Sequence, residues 1–467
     1  MQHKLPRRSF LKSGATAALG AGLTGQVTAA QQADRSAATV REPAREIPIV
    51  EEIDVVVCGA GPAGVAAAVA AARSGAKTRL IEVNGCLGGV WTAGLLSNII
   101  DCGNKTGIMQ EMLDELDKRN ARIYGRKYDV EKTKLLLEDM CGEAGVRVRL
   151  HTRVAAAVKD DSNRLSIVLT ESKSGREAYA GKVFVDATGD GDLGALAGCG
   201  FDYGRSDKDE GQPMSFIVQL VGLDLERIRP FVSGLPDEKD WGATKGRLAG
   251  EIKRGSGFDP SYAHPTLFHL NHGLFTLMAN HEYHVKGFDA DQLTEATMRG
   301  RREVHRMIDG LRSLGGVWKD IAICVSPERI GVRESRRIHG LYQVTGDDLV
   351  NGARFDDAVC RSTFSVDVHS TDPDTSKGLG NEGLRAKPYD IPYRALIARD
   401  VDGLLLAGRC ISGDFFAHAS YRVTGNAVPM GEAAGAAAAL AARTNRLPQE
   451  VPWSDIQKSI EKNSKVA

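Results

Sequence analysis

Hydrophobic and polar positions change their period several times along this chain, and each change predicts an element. Residues 53–57 form an apolar run that reads as a strand buried on both faces. A glycine turn carrying Gly59, Gly61 and Gly64 follows, and the alanine-rich stretch after it predicts a helix. Residues 78–81 give a second apolar strand, ending at the acid Glu82. Helices are predicted over residues 108–119 and 130–144. Strands are predicted over 147–150, 152–158, 164–170 and 183–187, with a polar turn between the last two. Between residues 201 and 324 the pattern alters: an alternating strand at 215–221 and a helix at 293–314 predict an inserted unit. The chain then returns to an apolar strand at 401–409. A helix of small residues, 430–443, closes the pattern, with a polar, peripheral tail beyond Pro448.

The opening segment has the strand, glycine turn, helix and distal acid of a dinucleotide-binding unit in register. Gly59 permits the tight turn, Gly61 lets a pyrophosphate approach the backbone, and Gly64 allows close helix–strand packing. Pro62 and Ala63 open the helix, whose N-terminus offers free N–H groups and partial positive charge to phosphate. Glu82 suits ribose hydroxyls and repels a 2′-phosphate.

Composition narrows this reading. The chain has 467 residues, 60 basic and 60 acidic, with formal net charge +0, which argues against electrostatic binding of nucleic acid. That length carries two or three domains. No stretch of the mature chain is long and apolar enough to span a bilayer. At the N-terminus, Arg7-Arg8-Ser9-Phe10-Leu11-Lys12 precedes a mild apolar stretch and small residues, which predicts a twin-arginine export signal over residues 1–30 and an extracytoplasmic or periplasmic location. Pro6 stands where that motif often has Ser or Thr. Residues 31–50 read as a linker. The eight cysteines form no C-x-x-C pair, so neither zinc nor a dithiol motif is indicated.

Three later glycine corners decide between nicotinamide and flavin dinucleotides. Gly88 and Gly89 follow Glu82 closely. The strand at 183–187 leads into Thr188-Gly189-Asp190. Residues 404–406 lead into Gly408-Arg409, with a helix expected to begin near Gly431. Such a helix can aim its positive end at the flavin edge that gains charge on reduction. Val154, on the strand at 152–158, completes the candidate set. The expectation is FAD, non-covalent because residues 85–94 contain no histidine. Gly189 to Gly194 also fits G-x-G-x-x-G and reads as part of the FAD site. Gly378 to Gly383 lacks a preceding strand and reads as a loop.

On these pieces, together with V-R-E-S-R-R-I (332–338), D-V-H (367–369), I-P-Y-R-A-L (391–396), A-G-R-C-I-S (407–412) and H-A-S-Y-R (418–422), the chain resembles the FAD-dependent oxidoreductases of the glutathione-reductase-like superfamily. Within them it resembles a bacterial branch similar in plan to fumarate reductase and succinate dehydrogenase flavoproteins. The resemblance implies an α/β fold: a Rossmann-like FAD-binding domain, a parallel sheet with a β-meander (residues 51–200 and 325–445), interrupted by an α+β substrate domain (201–324), with a tail at 446–467. Arg409 departs from the acid many such flavoproteins place there, which passes the ribityl contact to Asp414 or to backbone.

Catalytic candidates follow from what a flavin reaction needs, a proton carrier and a charge stabiliser. His418 is the favoured acid–base group, Arg422 would hold a carboxylate or oxyanion, and Arg394 follows a rigid Ile391-Pro392-Tyr393. Arg333, Glu334, Arg336 and Arg337 read as a structural ion-pair network, and Asp367 with His369 as a surface pair. His264, His269, His272, His281 and His284 cluster without a metal-ligand spacing, so no metal is expected; a place in the substrate pocket is the alternative to ordinary loop positions. The expected chemistry is hydride transfer between a small polar substrate, a sugar or polyol, and flavin N5, with a quinone, cytochrome or protein as electron partner. A fumarate-type C=C reductase and a flavin-bearing partner in a redox complex are the alternatives.

Overall fold

The structure, a computed structural model, describes residues 39–464 apart from 206–209 and 381. The predicted signal at 1–30 lies outside the described residues. The described residues from 46 to 464 form one unit; in the unit before it, the described residues 39–45 carry neither helix nor strand.

The first strand, β1 (Ile49–Cys58), leads through the glycine turn into α1 (Pro62–Arg73) and back through β2 (Thr78–Ile81). Helices α2 (Ile108–Lys118) and α3 (Val130–Glu143) follow. Next come β3 (Arg147–Arg149), β4 (Arg153–Lys159), β5 (Leu165–Ser172) and β6 (Gly175–Asp186). These strands form one sheet in the order β3-β2-β1-β6-β5-β4. β1 pairs in parallel with β2 and β6, and β2 with β3, whereas β4, β5 and β6 form an antiparallel meander. Val55, Val56 and Val57 are fully buried, as a strand covered on both faces must be.

The parallel register places the function. Cys58 faces both Ile81 and Asp186, and Asp186 faces the end of β11 (Leu404–Leu406). Four strands separated by up to 350 residues of chain therefore end at one edge, and the turns that follow them share one crevice. Ligands bind at this carboxyl edge in open α/β sheets.

Residues 216–321 build a second core around an antiparallel sheet. Its strands are β7 (Val218–Val221), β8 (Thr266–His269), β9 (Phe275–Met278) and β10 (Ala322–Val325), in the order β8-β9-β7-β10. Helices α4 (Trp241–Ser256) and α5 (Ala290–Ser313) contribute Leu248, Ile252, Val304 and Ile308 to that core. The pattern of residues 241–256 and 266–278 had predicted neither α4 nor the β8–β9 hairpin. These strands are four residues each, too short for a distinct period.

Two terminal elements differ from expectation. The small-residue helix, α7 (Thr424–Thr444), begins six residues before the predicted start and carries Pro429 inside it. The tail folds into α8 (Trp453–Ser464) and is not peripheral. Ile456 is buried, Trp453 stacks on Tyr393 with centroids 5.6 Å apart, and Asn463 reaches Ser74 Oγ at 3.0 Å. α1 and α7 touch backbone to backbone. A Cβ on Gly431 would lie 2.0 Å from the Ala63 carbonyl oxygen, and one on Gly435 2.0 Å from that of Ala67.

Candidate active site

A cavity of about 590 Å³ lies along the carboxyl edge of the sheet, walled by the glycine corners. Gly59, Gly61, Pro62 and Ala63 form one stretch of wall. Gly59 has φ +93°, and a side chain there would collide with the Ala187 carbonyl at 2.5 Å; beside Gly61 there is open space. That cradle, at the N-terminus of α1, fits a pyrophosphate. Glu82 lines the next stretch. It is buried and accepts hydrogen bonds from the Ala60 N–H (2.6 Å) and the Asn84 N–H (2.9 Å), which fixes its carboxylate at the end of β2. Val83, Thr152 and Val154 complete this end.

Thr188, Gly189 and Asp190 line the cavity from the turn after β6, and Gly408 and Arg409 from the turn after β11. Arg409 Nη2 donates to Asp190 Oδ1 at 2.7 Å, and Arg329 Nη2 to Asp190 Oδ2 at 3.2 Å. Burial works to raise the Asp190 carboxyl, but Arg409 and Arg329 outweigh it and hold it below its ordinary value. Arg409 Nη1 is buried with no partner among the described residues, a donor that suits a bound cofactor. Asp414, the expected ribityl contact, instead caps α6 (Phe415–Tyr421) by accepting from the Ala417 N–H at 2.7 Å, and it is not on the cavity wall. The acid near Arg409 is Asp190.

Three glycines named from the sequence shape the wall without lining it. Gly88 has φ +104° and donates to the Ala60 carbonyl, positioning Gly89, which is on the wall. Gly64 has its Cα-hydrogen against the Gly59 carbonyl, where a Cβ would sit at 1.8 Å. Gly431 packs on α1 about two turns inside α7, so the helix end at the cavity is Val423-Thr424, with Ala427 beside it. The Thr424 hydroxyl there has no partner among the described residues.

Of the three catalytic candidates, only Arg422 lines the cavity. His418 is fully buried inside α6, perpendicular to Tyr421 at 5.5 Å, and absent from the wall. Burial, then Arg337, Arg422 and Arg409, push it well below the ordinary histidine value, so it is a neutral core residue. Arg394 is half exposed, pairs with Asp357 at 2.9 Å and lies over the Tyr342 ring. The helical turn after the last glycine corner put His418 near the cavity in sequence, but its side chain is enclosed in the core and does not reach the wall.

Asp367 and His369, expected on the surface, are instead on the wall. Arg422 Nη2 donates to the Asp367 carbonyl at 2.9 Å and to its Oδ2 at 3.2 Å, and His369 Nε2 lies 3.4 Å from the same Oδ2. Gln212 ties the pair together: its Oε1 accepts from the His369 N–H at 3.1 Å and from Arg422 at 3.4 Å. Burial and then Arg333 push His369 down to about 4, against the pull of Asp367. Burial would raise Asp367, but His369, Arg422 and Arg333 hold it well below the carboxylate range. At neutral pH this is a neutral imidazole beside an ionised carboxylate.

The arginine cluster divides. Glu334 and Arg337 form a buried ion pair, as predicted, while Arg333 and Arg336 reach the cavity. Arg336 donates to Asp192 Oδ1 at 2.9 Å, and Arg333 to the Pro213 carbonyl at 2.7 Å and Ser215 Oγ at 2.8 Å. From the histidine-rich segment only His281 joins the site, stacked on Tyr262 at 4.2 Å and 4.9 Å from the His369 ring. His264, His272 and His284 are exposed, and His269 packs on Phe275.

A family model described as FAD dependent oxidoreductase matches residues 54–460. No curated protein sequence matches the chain. Solved structures to which it is similar include p-nitrophenol 4-monooxygenase PnpA from Pseudomonas putida, at 10% identity over 89% of this chain and 86% of that one, TM-score 0.46. Others are the flavin-dependent brominase Bmp2, at 13% over 89% and 84%, TM-score 0.46, and a geranylgeranyl bacteriochlorophyll reductase-like protein from Thermoplasma acidophilum, at 15% over 89% and 83%, TM-score 0.41. With the family match spanning both the glycine corners and the Asp367–Arg422 wall, the chain belongs to the FAD dependent oxidoreductase family: it is an enzyme, and FAD is its cofactor.

Proposed function

We propose that this enzyme dehydrogenates a secondary or primary alcohol carbon of a small polar molecule, with a sugar or polyol as the substrate type. His369 is the proton acceptor, in place of His418. The observation that carries this is a buried neutral imidazole, oriented by Asp367 and with its own backbone N–H tied to Gln212, on the same cavity wall as the glycine corners. Non-covalently bound FAD supplies a two-electron acceptor. Asp367 fixes the His369 ring and stabilises its protonated form, and Arg422 offers charge to a developing alkoxide. Tyr262 and His281 fill the space behind His369 and keep water from its far side.

The test is anaerobic mixing of the oxidised enzyme with a panel of alcohols, sugars and polyols, read as bleaching of the flavin. His369→Gln is expected to slow bleaching by about 10²–10⁴-fold, the range for a lost general base. In the wild type, kcat/KM is expected to rise with pH through about 4 and to be level across neutrality, because His369 is competent only when unprotonated. Normal bleaching by His369→Gln would refute the assignment.

A second reading, C=C reduction of the fumarate type with plan-level kinship to those flavoproteins, is favoured by Arg333. Burial and then Arg422 bring its guanidinium down to about 10, closer to a usable proton donor. Oxidation of reduced enzyme by enoates, and not bleaching by alcohols, would select it. Electrons would pass on to a quinone, a cytochrome or a protein partner. Export by the twin-arginine route is part of the proposal and rests on Arg7-Arg8 before Phe10-Leu11-Lys12; cell fractionation of the wild type and an Arg7→Lys, Arg8→Lys double variant tests it.

A further inference from the structure

The wall around His369 carries more positive than negative charge. Asp367 is its carboxylate, and it is already engaged by Arg422 at 3.2 Å and His369 at 3.4 Å. Arg333 forms no ion pair among the described residues; its Nη1 is satisfied by the neutral acceptors Pro213 O and Ser215 Oγ. After burial, the Arg422 charge is what works most to lower the Arg333 guanidinium, and both side chains line the cavity. Glu334, which also acts on Arg422, is paired with Arg337, so with His369 neutral two guanidinia are left facing one carboxylate, Asp367. A guanidinium held away from bulk water without a counter-charge is costly, and such a site is completed by an anion of complementary shape. Arginine's planar fork suits a carboxylate in particular. The polar atoms left unmatched nearby, Gln212 Nε2 and Arg422 Nε, are buried donors of the same kind.

We infer that the substrate is a hydroxy acid, its carboxylate held by Arg333 and Arg422 while its carbinol faces His369. The inference rests on the alcohol-dehydrogenation reading and narrows it from polyols in general to acidic ones, of the uronic or aldonic type or smaller. The balance is that of an alcohol oxidation. The O–H bond breaks and its proton passes to His369. The C–H bond breaks and its electron pair leaves with the hydrogen as hydride to the bound cofactor, and a C=O bond forms. The carboxylate takes no part in the bond changes; it sets position.

The experiment is titration of the oxidised holoenzyme with acetate, glycolate and glucuronate, and in parallel with ethylene glycol and glucose, following the flavin absorbance bands. The acids are expected to perturb the spectrum with dissociation constants at least about tenfold below those of their neutral counterparts. Arg333→Met is expected to weaken the acids about tenfold or more, and Arg333→Lys by less. Asp367→Asn raises the local charge and is expected to tighten acid binding severalfold, although it disturbs the His369 ring; loss of packing alone would loosen it. Equal binding of acids and neutral compounds, or weaker acid binding by Asp367→Asn, overturns the inference. So does acid binding that appears only in FAD-free protein and is displaced by FAD, because the surplus charge would then serve the cofactor's diphosphate. If Arg333→Met does not fold, the lysine and Asp367→Asn variants still decide. The two readings fail separately: acids that bind the holoenzyme but never bleach it sink the dehydrogenation, whereas bleaching by glucose as readily as by glucuronate sinks only the acid requirement.

Discussion

Replacing Gly431 with alanine should loosen FAD without removing any residue from the cavity wall. The added Cβ would sit 2.0 Å from the Ala63 carbonyl oxygen and 2.7 Å from its carbon. Carbon–oxygen contacts settle at about 3.3–3.6 Å, so α7 and the first turn of α1 must part by about 1.3 Å. Overpacking of this kind costs about 1–3 kcal/mol. Ala63 is itself on the wall, one residue past the pyrophosphate cradle, so the displacement falls on the segment that must stay in place when FAD is bound. If the FAD-free protein relaxes and the bound form cannot, the whole cost appears in affinity, a loss of about 5- to 150-fold. The assay is FAD titration of stripped protein by flavin fluorescence, alongside thermal unfolding with and without FAD. Gly435→Ala is the control. Its Cβ meets the Ala67 carbonyl at the same 2.0 Å, but one turn farther from the cradle. It should lower stability comparably and leave FAD affinity within about threefold. Equal FAD losses in the two variants, or none in Gly431→Ala, would refute the link between this helix contact and the cofactor.

Other outcomes follow from single groups. Glu432, buried in α7 and accepting from the Ile108 N–H at 3.3 Å, has its carboxyl raised from 4.5 to about 7, by burial first and then by Glu111. The folded state thus keeps a proton that the unfolded chain gives up, and stability falls as pH rises from about 4.5 to about 7. Glu432→Gln removes that dependence and should gain up to about 3 kcal/mol over wild type at pH 8 and almost nothing at pH 4; parallel pH slopes in urea unfolding would count against it. Arg409→Met removes a charged donor on the wall and should weaken FAD binding about tenfold or more, from a charged hydrogen bond of about 1.5–3 kcal/mol, measured by equilibrium dialysis. Arg394→Met, on the Asp357 surface pair, should leave turnover within about twofold of wild type; a larger fall would return Arg394 to the site.

The glycine corners were legible because their chemistry is local. A strand running into a glycine turn is written in one short stretch at each corner, 53–64, 183–189 and 404–409, and at the first of them a helix start follows directly. Their meeting at one edge follows from the parallel register of β1, β6 and β11. Helix α7 was misplaced by six residues because Pro429 reads as a start signal; Pro429 instead lies buried in the second turn of a helix made mostly of small residues. The β8–β9 hairpin escaped because short strands lack a period.

The side-chain site was not legible in the same way. His418 sits in an attractive place in sequence, and which way a helix residue points depends on what packs around that helix; here Arg337, Arg409 and Tyr421 surround it. Asp367 and His369 share a face by their spacing, but whether that face meets solvent or a cavity was set by Gln212 and Arg422, contributed from 157 and 55 residues away. The sequence alone determined the dinucleotide cradle, because backbone geometry at glycine and proline is encoded residue by residue. Only the tertiary structure decided the charge balance and the choice of base, because those depend on burial and on which groups from distant segments come within a few ångströms of each other.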